Sequence, residues 1–195
     1  MDLILLQGLI MCMCIIMNKK ISYIFLVVCL FFLLLSCNKT KNLQVAMEEF
    51  MGSEIEFLEE WPLREEVGNR LVIWFDSTEC GSCRMSRLYE WNDDPVMHYA
   101  QGLKDKFEVL LIFSPKKQDV RSLKFNLEGY DVSFPVIIDE AGDFPRLNPH
   151  IPADTRLHSF LLDKDNKVVL VGNPLGNEQL WELYKEQIRQ LVNAQ

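Results

Sequence analysis

Apolar runs alternate with amphipathic segments along most of this 195-residue chain. Continuous apolar runs at residues 71–75, 109–113 and 134–138 have the length and composition of buried strands. Segments with helical periodicity lie between them. The order strand, helix, strand, helix, strand is typical of parallel β-α-β units, so the pattern predicts an α/β domain.

The pattern also predicts smaller elements around these units. Apolar runs at 160–162 and 168–171 flank Lys164-Asp165-Asn166, which indicates a β-hairpin, and Asn177 is expected to cap a final helix. Further elements are a helix over 43–51, a short edge strand at 54–57, a helix from Pro95 towards Phe107, a helix capped by Asp119, and an irregular loop or short helix over 141–155.

The chemistry is concentrated at Cys80-Gly81-Ser82-Cys83, where the first buried strand gives way to a helix running to about Trp91. At a helix N-terminus, Cys80 would meet unpaired backbone N–H groups and the positive end of the helix dipole, which favour the thiolate. Cys83 lies three residues along the same face and could resolve a mixed disulfide at Cys80. This spacing predicts a dithiol redox centre.

The N-terminal segment resembles a bacterial lipoprotein signal. Residues 21–35 are almost wholly apolar, follow Asn18-Lys19-Lys20 and end at Leu34-Leu35-Ser36-Cys37, which has the form of a lipobox. Fifteen apolar residues are short for a transmembrane anchor of about 20. The resemblance implies a signal peptide over 1–37 that ends at Cys37, and Met17 is expected to be the true start of the protein. It also implies a lipid on Cys37, a tether over 38–44 and a domain over 45–195 on the periplasmic side of a membrane.

Cysteine usage and composition limit the classes of function that the chain can have. Of six cysteines, Cys12, Cys14 and Cys29 would leave with the signal and Cys37 would be acylated, so the dithiol would hold the remaining sulfurs. Hydrophobic residues make up 49% of the chain, enough for a core. The formal charge of −8 gives no basic surface for nucleic acid.

A strand leading into CxxC, a β-α-β insertion and a closing FLLDKDNKVVLVG hairpin resemble the thioredoxin-like fold, nearest to the TlpA/ResA group of membrane-anchored proteins. The resemblance implies a central mixed β-sheet flanked by helices, with the CxxC at a helix N-terminus. It further implies a monomeric periplasmic thiol–disulfide oxidoreductase that exchanges disulfides with protein substrates through Cys80 and Cys83, without a cofactor.

The chain departs from that family at several positions. Glu79 stands where tryptophan usually precedes the first cysteine, and a carboxylate there would oppose thiolate formation unless it points to water. Leu157 aligns with the family's cis-proline, and we expect its peptide bond to be trans because a cis bond would cost about 3–4 kcal/mol. Trp74 replaces the family's buried acid, so a proton relay would use Glu79, Asp76 or water.

His158 leads to an alternative function. The resemblance places it next to Cys80, and two thiolates with an imidazole suit Cu(I) or Zn²⁺, as in SCO-type copper chaperones of the same fold. Cys80, Cys83 and His158 could therefore handle copper, whereas in the simplest interpretation His158 only packs in the hairpin. We expect its substitution to change thiol chemistry more than stability. An inactive scaffold is the third interpretation, and His98 and His150 are expected to be structural.

Overall fold

The computed structural model describes residues 24, 42–64, 66–132 and 134–194. Cys37 and nearly all of the predicted signal segment lie outside these residues. Ala46–Gln195 form one compact unit, distinct from residues 1–45. Within the described ranges, no helix combines the length and the apolar character that crossing a membrane requires.

Five strands form one mixed sheet in the order β3-β2-β1-β4-β5. The three predicted β-α-β strands pair in parallel, and the predicted hairpin joins the sheet antiparallel to β1. The strands are β1 (Arg70–Phe75), β2 (Glu108–Phe113), β3 (Val136–Ile138), β4 (Ser159–Leu162) and β5 (Val168–Val171).

Helices flank this sheet. Residues 42–50 are helical and are called α1 here. The other helices are α2 (Gly81–Asn92), α3 (Pro95–Gln101), α4 (Val120–Glu128), α5 (Asp143–Leu147) and α6 (Glu178–Asn193), with short 3-10 helices at Lys117–Asp119 and Thr155–Leu157.

The strands β1 and β2 occupy the centre of the sheet because their apolar runs can be covered on both faces. Every residue of both strands is buried. A parallel strand covered on both faces is expected to be continuously apolar rather than alternating. From α2, Met85, Leu88 and Trp91 pack into this core, which fixes the helix against the sheet just after the cysteines.

Four predicted features differ in the structure. Residues 54–57 form only a single bridge, from Glu54 to Lys167, instead of an edge strand. The helix that begins at Pro95 ends at Gln101, before a turn that contains Gly102. The strand predicted from 134 begins at Val136. Asp119 precedes α4 without capping it, because its carboxylate accepts from Arg84 instead.

A buried ion pair joins the first residues of the two central strands. Arg70 and Glu108 lie opposite each other in the parallel register, and Arg70 Nε donates to Glu108 Oε2 at 2.9 Å. The two side chains are only 6% and 2% exposed. Removing one member would leave a buried charge without its partner, which costs more than the intact pair contributes.

We therefore predict that R70M lowers the free energy of unfolding by about 3–5 kcal/mol, measured by urea denaturation. The double variant R70M/E108L should lose less than R70M alone, because no unpaired carboxylate remains. R146M is the matched control: it removes an exposed arginine that pairs with Asp143 and should change stability by less than about 1 kcal/mol. Equal losses in R70M and R146M would contradict the prediction.

Candidate functional site

The two cysteines lie at the junction of β1 and α2, as the sequence predicts. Cys80 is the N-cap of α2, with φ −68° and ψ 151°, and its Sγ accepts from the backbone N–H of Cys83 at 3.1 Å. Cys80 and Cys83 form a disulfide, with their Cα atoms 5.2 Å apart. Both residues are exposed. The sulfur of Cys80 thus meets a free helix N–H group, whereas exposure alone does not separate the roles of the two cysteines.

Asp76, the first residue of the turn between β1 and Cys80, stabilises that turn through hydrogen bonds. Asp76 Oδ1 accepts from the backbone N–H of Thr78 at 2.9 Å and from the Thr78 hydroxyl at 2.7 Å. This side chain–backbone bond is the usual way in which aspartate closes a turn. It fixes the path of the chain from the end of the sheet to the dithiol, and it buries Asp76 to 7% exposure.

The carboxylate of Glu79 does not point to water. Its side chain is 9% exposed, and Arg87 Nη1 donates to its Oε1 at 2.6 Å. Burial raises the pKa of Glu79 above its ordinary value, and the Arg87 guanidinium acts in the opposite direction. The charge that would oppose a thiolate at Cys80 is therefore partly balanced within the protein.

Arg84 is a second cation that the sequence analysis did not identify. It is 1% exposed, and its guanidinium donates to the backbone carbonyl of Asp76 at 3.5 Å and to Asp119 Oδ2 at 3.2 Å. Arg84 and Arg87 are three residues apart on α2, so both lie on one face of the helix. Their partners Asp76, Glu79 and Asp119 all lie outside α2, and no periodic signal in the sequence marks these pairs.

His158 is fully buried beside the turn that carries Asp76 and Glu79. Its backbone carbonyl accepts from Trp74 N at 2.8 Å, and its ring centroid lies 4.3 Å from that of Trp74. A ring nitrogen of His158, a carboxylate oxygen of Asp76 and one of Glu79 all lie within 4.8 Å of one another. His158, which was predicted to lie next to the dithiol, therefore lies close to Glu79, the residue that precedes Cys80. Contact between the His158 ring and a cysteine sulfur stays a prediction.

The protonation of His158 follows from its contacts. Its Nε2 lies 2.9 Å from the carbonyl oxygen of Pro152, which can only accept, so Nε2 carries a hydrogen and Nδ1 a lone pair in the neutral ring. Burial lowers the pKa of His158 below its ordinary value, although the Pro152 carbonyl and Asp76 act in the opposite direction. The ring is accordingly neutral near pH 7.

The position that aligns with the family's cis-proline is occupied by a trans residue, as expected. Leu157 is buried and ends the 3-10 helix Thr155–Leu157, and the described part of the chain contains no cis peptide bond. Asp154 caps this short helix, because its side chain accepts from the backbone N–H of Arg156. The cap sets the direction in which the chain enters β4 and presents His158.

A copper centre built from Cys80, Cys83 and His158 is not favoured. The two sulfurs are bonded to each other, and a disulfide offers no thiolate to a Cu(I) ion. Among the residues that the structure describes, the group whose ligand atoms lie close enough together to hold a metal ion is instead Asp76, Glu79 and His158, which contains no sulfur.

The sheet order, the parallel central strands with an antiparallel hairpin, and the disulfide at the N-terminus of α2 define a thioredoxin-like fold. Its sequence is similar to that of the thiol-disulfide oxidoreductase ResA from Bacillus thuringiensis subsp. konkukian, with 26% identity over 130 residues, covering 67% of this chain and 68% of ResA. ResA from Bacillus cereus gives the same values. These findings confirm the predicted resemblance to ResA-type proteins.

Two solved structures are also similar to this chain. A thioredoxin-like protein from Porphyromonas gingivalis has a TM-score of 0.47 and 18% identity, covering 74% of this chain and 90% of its own. A putative thiol:disulfide interchange protein DsbE from Chlorobium tepidum has a TM-score of 0.44 and 23% identity, covering 64% and 82%. No model of a known protein family matches the sequence.

The Asp154 cap generates a prediction about pH. The hydrogen bond from Arg156 holds the pKa of Asp154 at about 2, below the ordinary 3.8. A lowered folded pKa means that the carboxylate stabilises the fold above pH 3.8 and loses this effect as the pH falls towards 2. We expect D154A to cost about 1 kcal/mol at pH 7, measured by urea denaturation, and progressively less than that between pH 4 and pH 2.

The control for this experiment is D165N, which changes an exposed carboxylate in the turn between β4 and β5. This variant should alter stability little at any pH, because exposed ion pairs contribute little. A D154A deficit that stays constant from pH 7 to pH 2 would show that the cap does not act through its charge.

Proposed function

We propose that this protein is a thiol–disulfide oxidoreductase, anchored to a bacterial membrane through Cys37 and facing the periplasm. The observation that carries the redox assignment is the exposed disulfide at the N-terminus of α2, where Cys80 Sγ accepts from a backbone N–H. Similarity to the ResA proteins, which are named as thiol-disulfide oxidoreductases, supports it. The substrates would be proteins that carry thiols or disulfides.

The proposed exchange uses the two sulfurs in sequence. A substrate thiolate attacks Cys80 Sγ, the Cys80–Cys83 bond breaks, and Cys83 leaves as a thiolate that takes up a proton. The second substrate thiolate then attacks the substrate sulfur of the mixed disulfide and releases Cys80. The substrate is oxidised by two electrons and the protein dithiol is reduced, and the reverse reaction uses the same atoms.

The helix terminus assigns the two roles in this proposal. Backbone N–H groups and the helix dipole stabilise a negative charge at Cys80, so Cys80 is the better leaving group and the more populated thiolate near neutral pH. Cys83 lies within the first turn, where its own N–H already points to Cys80 Sγ. Cys80 is therefore the nucleophile of the reduced form, and Cys83 resolves the mixed disulfide.

This assignment is tested by trapping. Reduced C83S should accumulate mixed disulfides with substrate proteins, several-fold more than C80S, because the resolving thiol is missing. The adducts are measured by non-reducing electrophoresis and should disappear on reduction. C80S/C83S is the control for non-specific capture. More adduct with C80S than with C83S would reverse the roles, and no adduct with either variant would sink the proposed exchange.

Membrane anchoring is tested separately, by metabolic labelling with a fatty acid. C37S should lose the label and fractionate as an uncleaved precursor, because the acylated sulfur is gone. C29S, a change within the apolar segment that precedes the lipobox, should keep the label. Stable anchoring needs more than one acyl chain, so the labelled, processed parent should stay in the membrane fraction. Label retained in C37S would overturn this part of the proposal.

A further inference from the structure

The cluster of Asp76, Glu79 and His158 contains a feature that the redox chemistry does not use. His158 is 0% exposed, and its Nδ1 has no hydrogen-bond partner among the described residues. A buried lone pair without a donor is costly, since such groups are paired in most proteins. Ligand atoms of Asp76 and Glu79 and a ring nitrogen of His158 lie within 4.8 Å of one another.

The imidazole is oriented as a metal-binding histidine usually is. Its Nε2–H donates to the Pro152 carbonyl, which fixes the ring and leaves the lone pair on Nδ1. Metal-ligating histidines almost always donate their other N–H to a carbonyl or carboxylate in this way.

The two carboxylates are equally constrained. Asp76 Oδ1 is held by the backbone and hydroxyl of Thr78, and Glu79 Oε1 by Arg87. Each carboxylate therefore has one oxygen fixed by the protein, and its second oxygen can serve as a ligand. These hydrogen bonds supply the outer contacts that orient metal ligands.

We propose that Asp76, Glu79 and His158 form a binding site for a divalent first-row cation of the Zn²⁺ type. Two carboxylates and one imidazole are ligands for such borderline cations, whereas Cu(I) selects sulfur. Because no sulfur takes part, the site is complete in the oxidised protein. The inference does not depend on disulfide exchange, although the cation would lie beside the residue that precedes Cys80.

Arg87 allows a more specific test of the proposal, because it competes with a bound cation for the carboxylate of Glu79. Its guanidinium lies 2.6 Å from Glu79 Oε1, so a cation bound to Glu79 would lie close to a positive charge. Removing that charge should favour binding, provided that the hydrogen bond that orients Glu79 is kept, and the amide of R87Q can still donate it. R87Q is thus expected to raise cation affinity, whereas loss of a ligand lowers it. A nonspecific acidic surface would respond to the loss of either charge in the same way, but it would not respond to the loss of the neutral imidazole of His158.

The experiment is a titration of the oxidised full chain in detergent micelles with Zn²⁺, by isothermal calorimetry. The parent should bind one equivalent. H158Q, in which the amide can still donate to the Pro152 carbonyl, should lower the affinity more than about tenfold, as should E79Q. The controls H150Q and E140Q change exposed side chains and should bind as the parent does.

Two further measurements keep the test independent of folding and of the redox proposal. Zinc X-ray absorption on the oxidised parent should show only nitrogen and oxygen ligands, and C80S/C83S should retain binding although it cannot exchange disulfides. Absent binding by the parent, equal affinity in H158Q and parent, or sulfur in the zinc shell would each overturn the site. Failure of disulfide exchange alone would leave it standing.

Discussion

The site depends on balancing two carboxylates that are buried where the sheet meets the dithiol helix. Asp76 is 7% exposed and the Glu79 side chain 9%. Burying an uncompensated carboxylate costs several kcal/mol, so nearby cations are required. Arg87 provides one for Glu79, and Arg84, which pairs with Asp119, donates to the backbone carbonyl of Asp76. Because both arginines belong to the helix that carries the cysteines, moving α2 away from the turn after β1 would break the Glu79 ion pair and the bond to Asp76. Charge balance thereby fixes the position of Cys80.

Trp74 stands on β1 where the family that this chain resembles has a buried acid. The acidic side chains near the dithiol therefore lie in the turn after β1 and not on the strand itself. Trp74 Nε1 donates to Ser114 Oγ at 3.0 Å, and that hydroxyl donates to Asp139 Oδ2 at 2.9 Å. Asp139 in turn accepts from the first backbone N–H groups of α5. The indole is committed to this chain of hydrogen bonds, and its ring packs on His158. The titratable groups near the dithiol therefore come from the turn, with Asp76 and Glu79, and from the start of the hairpin, with His158.

The parts of the fold that were predictable are those whose physics is local or periodic. The apolar runs of β1 and β2, the helix start at the CxxC and the Asn177 cap, which accepts from Leu180 N at 3.1 Å, all have short-range signals. The site is different, because its pairs join residues far apart in sequence. Asp119 looked like a helix cap and became the partner of Arg84, since a buried guanidinium needs a carboxylate more than an exposed helix end does. The inward turn of Glu79 had no sequence signal either.

The same burial that makes this junction costly also favours the thiolate at its surface. Burial raises the pKa of Glu79, so a proton resides there more readily than it would in water. When Glu79 is protonated, the like charge beside Cys80 disappears, which removes an obstacle to a negative sulfur. The neutral His158 contributes no positive charge of its own. Electrostatic support for a Cys80 thiolate therefore comes from the N–H groups of α2, and not from an imidazolium ion.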